Sequence, residues 1–213
     1  GLAAVVMMIA VIGGRIVPSF TRNWLARRGA GRLPVPPMQR FDKGALLVLL
    51  VAPGMWVTRP EALATGGALV VVGVVHAARL ARWAGERTGA EPLVWVLHLG
   101  YAFVPLGALG IGLEALSSGV FGAAAVQHLW MAGAAGLMTL AVMTRATLGH
   151  TGRALTAGSG TVALYLALVV SVLARLAAGL WPAEAVLLHA LAGIAWIGAF
   201  GGFAVLYGPL MLR

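Results

Sequence analysis

Seven long runs of apolar residues, divided by short polar stretches, organise the chain. They cover roughly 1–18, 44–58, 61–83, 92–117, 122–148, 161–180 and 183–212. None alternates with period two and each is far longer than a barrel strand needs, so the pattern predicts helices. Most approach or exceed the roughly 20 residues that a helix needs to cross a bilayer, where backbone groups have only one another as partners. The run 44–58 is short, and Pro53 and Gly54 within it predict a kink or an extension beyond these limits. In the first run, Pro18 and the polar stretch from Ser19 to Thr21 predict a helix stop. The predicted fold is all-α, a polytopic transmembrane bundle of about seven spans forming a single domain over residues 1–213.

The polar stretches predict orientation. Arg22, Arg27, Arg28, Arg32, Arg40 and Lys43 fill the first connection, with Arg15 just before it. Arg79, Arg82 and Arg87 mark the third, Arg145 and Arg153 the fifth, and Arg213 ends the chain. The alternate connections hold only Arg59, with Arg175 inside a helix near its end. Basic residues therefore fall on one side, which the positive-inside rule makes cytoplasmic. Gly1 is expected outside and Arg213 in the cytoplasm. The segment LAAVVMMIAVIGG has neither a basic leader nor an A-x-A-like cleavage site, so it does not read as a signal peptide. The chain is expected to be part of a longer protein.

Composition agrees. Hydrophobic residues make up 61% of the chain and charged ones 10%, with a mean hydropathy of +0.95, against about 25% charged in soluble domains. The net charge of +9 is scattered over helix ends, which argues for membrane anchoring and against a nucleic-acid surface. The absence of cysteine excludes disulfides, iron–sulfur clusters, thiolate-bound haem and Cys-zinc sites. No P-loop, H-E-x-x-H, G-x-S-x-G or dinucleotide-binding pattern is present. Six acidic residues offer no carboxylate ladder for cation transport. Glu114, near the outer surface, reads as an interfacial carboxylate or a proton-carrying group.

Ionisable residues within a span are costly and mark functional sites by default. His76 and His98 lie about 10 Å below the cytoplasmic helix ends, on consecutive antiparallel helices, so they could face each other. His128 and His189 each lie about six residues inside the outer start of the fifth and seventh helices. Two level pairs suit bis-histidine haem b, whose axial imidazoles come from different helices. They also suit copper, or simply hydrogen bonds to neighbouring helices. His150 sits at the inner boundary; about 33 Å of helix separates it from His128, so those two cannot share a metal.

At 100° per residue His128, Met131, Met138, Thr139, Val142, Ala146 and Gly149 share a face. Met131 and Met138 are secondary candidates for soft Cu(I) or haem iron, or packing residues. Gly133 and Gly136 flank that face and could admit another helix. His189, Gly193, Trp196, Phe200, Phe203 and Tyr207 form one face of the seventh helix, which could line a macrocycle or pack on a neighbour. Arg15, Arg79 and Arg145, near inner helix ends, are candidates for haem propionates, and anchoring alone also accounts for them.

The segments GGRIVPSFTRNW (13–24), HLGYAF (98–103) and above all HLWMAGAAGLMTLAVMTRATLGHTGR (128–153) resemble the NnrS family. His128, Met138, Met143, Arg145, Gly149, His150, Thr151, Gly152 and Arg153 match its signature. So do Gly14, Arg15, Pro18, Thr21, Arg22 and Asn23. The resemblance implies a bacterial inner-membrane protein containing haem and copper and linked to nitric oxide, denitrification and nitrosative stress. It also implies a longer protein, with an N-terminal group of helices bearing its own histidine motif. The expected partners are the bilayer, nitric oxide or a related small molecule, and a redox partner or quinol. Whether such a protein is an enzyme is left open. The alternatives are a copper or small-solute transporter, a haem b electron-transfer subunit, and a haemless structural subunit.

Overall fold

The computed structural model describes residues 1–117 and 119–212; Arg213, placed in the cytoplasm by the loop charges, lies outside them. Among the described residues there is no strand, and seven helices are long and apolar enough to cross a membrane. They are α1 (Leu2–Leu25), α2 (Arg40–Thr58), α3 (Leu63–Ala81), α4 (Pro92–Leu116), α5 (Ala123–His150), α6 (Ser159–Leu180) and α7 (Ala185–Met211). Short 3₁₀ turns precede α4 and α7.

Two helix starts and stops differ from expectation. Pro18 does not end α1, which continues to Leu25. The proline removes one backbone donor, and Ser19 Oγ donates to the Arg15 carbonyl and Thr21 Oγ1 to that of Val17. The carbonyl freed by Pro18 is that of Gly14, and a membrane helix carries such a proline where the surrounding bundle absorbs the lost bond. α2 begins at Arg40, before the apolar run, because the Gln39 N–H donates to Asp42 Oδ2 at 3.0 Å in a capping box.

α4 is the most enclosed helix, with 67% of its span buried, and packs against α1, α3 and α5. Close approach to α3 depends on Gly66 and Gly112: a Cβ on Gly112 would stand 2.8 Å from the Gly66 carbonyl. Small residues set such distances because lipid offers no hydrophobic drive between helices. α5 touches α1 and α4 on one side and α6 and α7 on the other, and so joins the two parts of the bundle.

A buried ion pair ties together the first four helices. Arg79 of α3 is fully buried and its Nε donates to Asp42 Oδ1 of α2 at 2.8 Å. Its Nη1 donates to the Ala10 carbonyl of α1 and to the Tyr101 hydroxyl of α4. Nη2 lies flush against Gly14, where a Cβ would collide with it. A guanidinium taken out of water needs this number of partners to offset desolvation.

The basic connections do more than anchor. Arg32 pairs with Glu86 at 2.7 Å, Arg87 donates to the Ala30 and Arg32 carbonyls, and Arg82 donates to Gln39. These bonds staple the connection after α1 to the one after α3. Glu91, at the start of α4, accepts from Thr156 Oγ1 and the Ala157 N–H and so holds the connection after α5. On the opposite side Glu114 accepts from the backbone N–H groups of Val120, Phe121 and Gly122, which gives this interfacial carboxylate a loop-anchoring part.

Replacing Arg79 by Met alone should cost about 3–5 kcal/mol, because it strands a buried carboxylate. Adding Asp42→Leu should return most of that loss. Reversible unfolding in mixed micelles measures both; a double variant no more stable than the single one would show that the ion pair is not the source.

Candidate functional site

The interior of α5 is where local chemistry and helix geometry coincide. From Leu129 to Leu137, immediately after His128, α5 is π-helical. Single π turns are common at functional sites, and nine residues is a long stretch. Its contacts explain the register. Trp130 fits its indole against Gly107 of α4 and donates Nε1–H to the Val104 carbonyl at 2.9 Å. Gly133 receives Phe103 from α4, and Gly136 receives Trp196 from α7, with a Cβ there only 2.8 Å from the indole. Both glycines thus admit a neighbouring helix, as their flanking positions predicted.

The wider turn breaks the shared face expected from an α-helical phase. Met131 stays beside His128, but Met138 is rotated into the core against Gly13 and Gly100. The 100° phase fails because the intervening residues bond i→i+5.

His128 and His189, placed at one depth by residue counting, line the same cavity of about 370 Å³ between α5, α6 and α7. Met131 and Trp196 form its apolar wall, and Ser171 and Arg175 reach it from α6. Ser171 Oγ donates to the Ala192 carbonyl at 2.9 Å and holds α6 to α7 at this level. A second cavity of about 300 Å³, bounded by Phe121 and Gly122 of the loop before α5, shares His128, Arg175 and His189 with the first. The two imidazoles and the guanidinium thus border both cavities, with His189 itself exposed.

His128 Nδ1 contacts the Ala124 carbonyl at 2.7 Å. A carbonyl only accepts, so Nδ1 carries the hydrogen and Nε2 keeps a bare lone pair. Metal-binding histidines are prepared in this manner, the second nitrogen donating to a carbonyl that fixes the tautomer. Among the described residues the His189 ring has no hydrogen-bond partner, and Arg175 has no acidic one. The sequence marks Arg175 only as a basic residue inside a helix near its end, although an arginine within a span is a signal on its own. Ser171 carried no signal.

The other level is arranged differently. His76 Nε2 donates to the Ala45 carbonyl at 3.1 Å, and Nδ1 accepts from the Tyr101 hydroxyl at 2.9 Å. That hydroxyl in turn accepts from Arg79, so both nitrogens of His76 are engaged. Thr21 donates to the Val17 carbonyl and must accept from His98 Nε2–H at 2.7 Å. His98 Nδ1 is buried without a partner, close over Gly85. The two rings therefore belong to separate networks.

Of the arginines considered for propionates, Arg79 is spent on the ion pair and Arg145 lies 4.1 Å over the Phe20 ring, joining α5 to α1. Arg15 is exposed. His150 is exposed at the opposite end of α5 from His128. Among the described residues no group of three or more His, Cys, Asp or Glu side chains is placed to hold a metal ion.

The His128–His189 cavity offers donors of the kind that haem and copper both use. Two imidazoles from different helices match axial ligation. The unpaired Arg175 cation favours a ligand that brings carboxylates and opposes a second cation.

Replacing His76 by Phe leaves the Tyr101 hydroxyl hydrogen without an acceptor and removes one donor from the Ala45 carbonyl, and should cost about 1–3 kcal/mol in micelle unfolding. Unchanged stability would show that these bonds are not made. A family model described as NnrS protein matches residues 1–213. No curated protein and no solved structure matches.

Proposed function

The chain belongs to the NnrS family, membrane proteins linked to the response to nitric oxide, and we propose that it binds haem b between His128 and His189 and handles nitric oxide there. The observation that carries this reading is the pair of imidazoles on α5 and α7 lining one cavity beside an unpaired arginine. Bound iron supplies a position for a diatomic ligand or a one-electron couple.

The protein's own residues divide the remaining work. His128, locked by Ala124, is the fixed ligand. His189, with no anchoring bond, is the ligand that can yield. Arg175 would hold a propionate, and Met131 with Trp196 would supply apolar contact to the macrocycle. A small neutral molecule would reach the site from either open cavity. Copper is the second reading: two imidazoles and the Met131 thioether suit Cu(I), while Arg175 disfavours it.

Orientation follows from the charged connections. The arginine-rich ends of α1, α3 and α5 face the cytoplasm of a bacterial cell, Gly1 and the haem cavity face outward, and the membrane is the inner one. A quinol or other redox partner supplies electrons.

Purified protein should give a reduced-minus-oxidised haem b spectrum. His128→Ala should abolish it, while His76→Phe leaves it intact. His189→Ala should retain haem and respond more strongly to carbon monoxide. Arg175→Gln should weaken haem retention by about 10–100-fold, the worth of one charge-assisted bond. A full spectrum in His128→Ala would defeat the assignment. A copper signal lost with Met131→Leu in protein free of haem would favour the second reading, and uptake of copper by vesicles a transporter.

A further inference from the structure

The segment MTRATLGHTGR ends α5 in a specific way. Gly152 is left-handed, with φ of +66°. The Arg153 N–H bonds the Leu148 carbonyl at 2.9 Å and the Gly152 N–H bonds that of Gly149. These are the two bonds of a Schellman motif. The turn brings Arg153 back beside His150, and both border an open cleft of about 860 Å³ between α5 and α7. Phe203, Leu210 and Met211 of α7 form its facing wall, with Met143 of α5 at its base.

The polar inventory of this cleft is one-sided. Thr147 and Thr151 donate their hydroxyl hydrogens to the helix carbonyls of Met143 and Thr147. The free donors are therefore Arg153 and His150, whose side chains make no hydrogen bond or ion pair among the described residues. No acidic residue borders the cleft. The outer face of α7 beside it is apolar and open, with Leu206 47% and Met211 57% exposed, so the cleft opens sideways toward acyl chains.

We propose that this cleft is a binding site for an anionic phospholipid, with Arg153 and His150 on the phosphate and the α7 wall against an acyl chain. Basic pockets between helices at the cytoplasmic boundary take acidic headgroups in this manner. A free phosphate ion would use the two donors and leave the apolar wall uncovered, whereas a phospholipid covers both. Seated there, the lipid bridges α5 and α7 at the end opposite the His128–His189 cavity.

Native mass spectrometry of the delipidated protein tests the assignment, with phosphatidylglycerol or phosphatidylcholine added in equal amounts. One phosphatidylglycerol should remain bound where phosphatidylcholine does not. The double variant Arg153→Gln, His150→Gln should weaken that retention by about tenfold. Leu210→Trp, which keeps both donors and fills the apolar wall, should weaken it too. Equal retention of the two lipids, or full retention by both variants, would overturn the site. Protection by inorganic phosphate equal to that by lipid would overturn the lipid in favour of an ion. Loss of a haem band in the double variant would overturn it in favour of a porphyrin. The lipid-retention readings do not depend on whether His128 binds haem.

Discussion

One guanidinium buried inside the helix bundle constrains much of this protein. Arg79 cannot be left in a low-dielectric setting unpaired, and its bonds reach α1, α2 and α4 from α3. Each partner is thereby fixed for another task. Tyr101, which accepts from Arg79, is left to donate to His76. Asp42, which pairs with it, also caps the start of α2. Gly14 is tolerated mid-helix, despite its entropic cost, because only a residue without Cβ lets the guanidinium lie against α1. A charge that would be a liability alone becomes the point about which four helices are registered.

The second constraint is the irregular middle of α5. That helix must accept Phe103 and Trp196 from different sides and bury Trp130 against α4. A regular α-helix would carry Met138 round to the face of His128; the wider turns send it into the core instead. The consequence is a cavity with two imidazoles, one thioether and one arginine, and a methionine held apart from it. π-Helical geometry therefore selects which side chains share the site.

The two ends of the bundle carry different chemistry. At the level of His128 and His189, two imidazoles and the Arg175 guanidinium border cavities between α5, α6 and α7. At the other end, arginines, the exposed Glu86 and the buried Glu91 staple connections together, and α5 finishes in a Schellman turn that presents His150 and Arg153 to a lateral cleft. α5 runs through both, so the two ends of the bundle share one helix.

Much of this was legible in the sequence alone. Seven spans were readable because hydropathy sums locally along a chain and lipid admits no alternative to the helix. The shared level of His128 and His189 followed from counting residues at a fixed rise. The signature ending in Gly152 and Arg153 was visible as a pattern, though its Schellman geometry was not. Only the tertiary structure decided that Pro18 is passed through, that Arg79 is buried rather than anchoring, and that Arg175 joins the two histidines. Only it decided that His76 and His98 are separately satisfied and that Met138 leaves the face of His128. Each of these depends on a partner distant in sequence, and lateral packing between helices leaves no trace in the order of residues along any one of them.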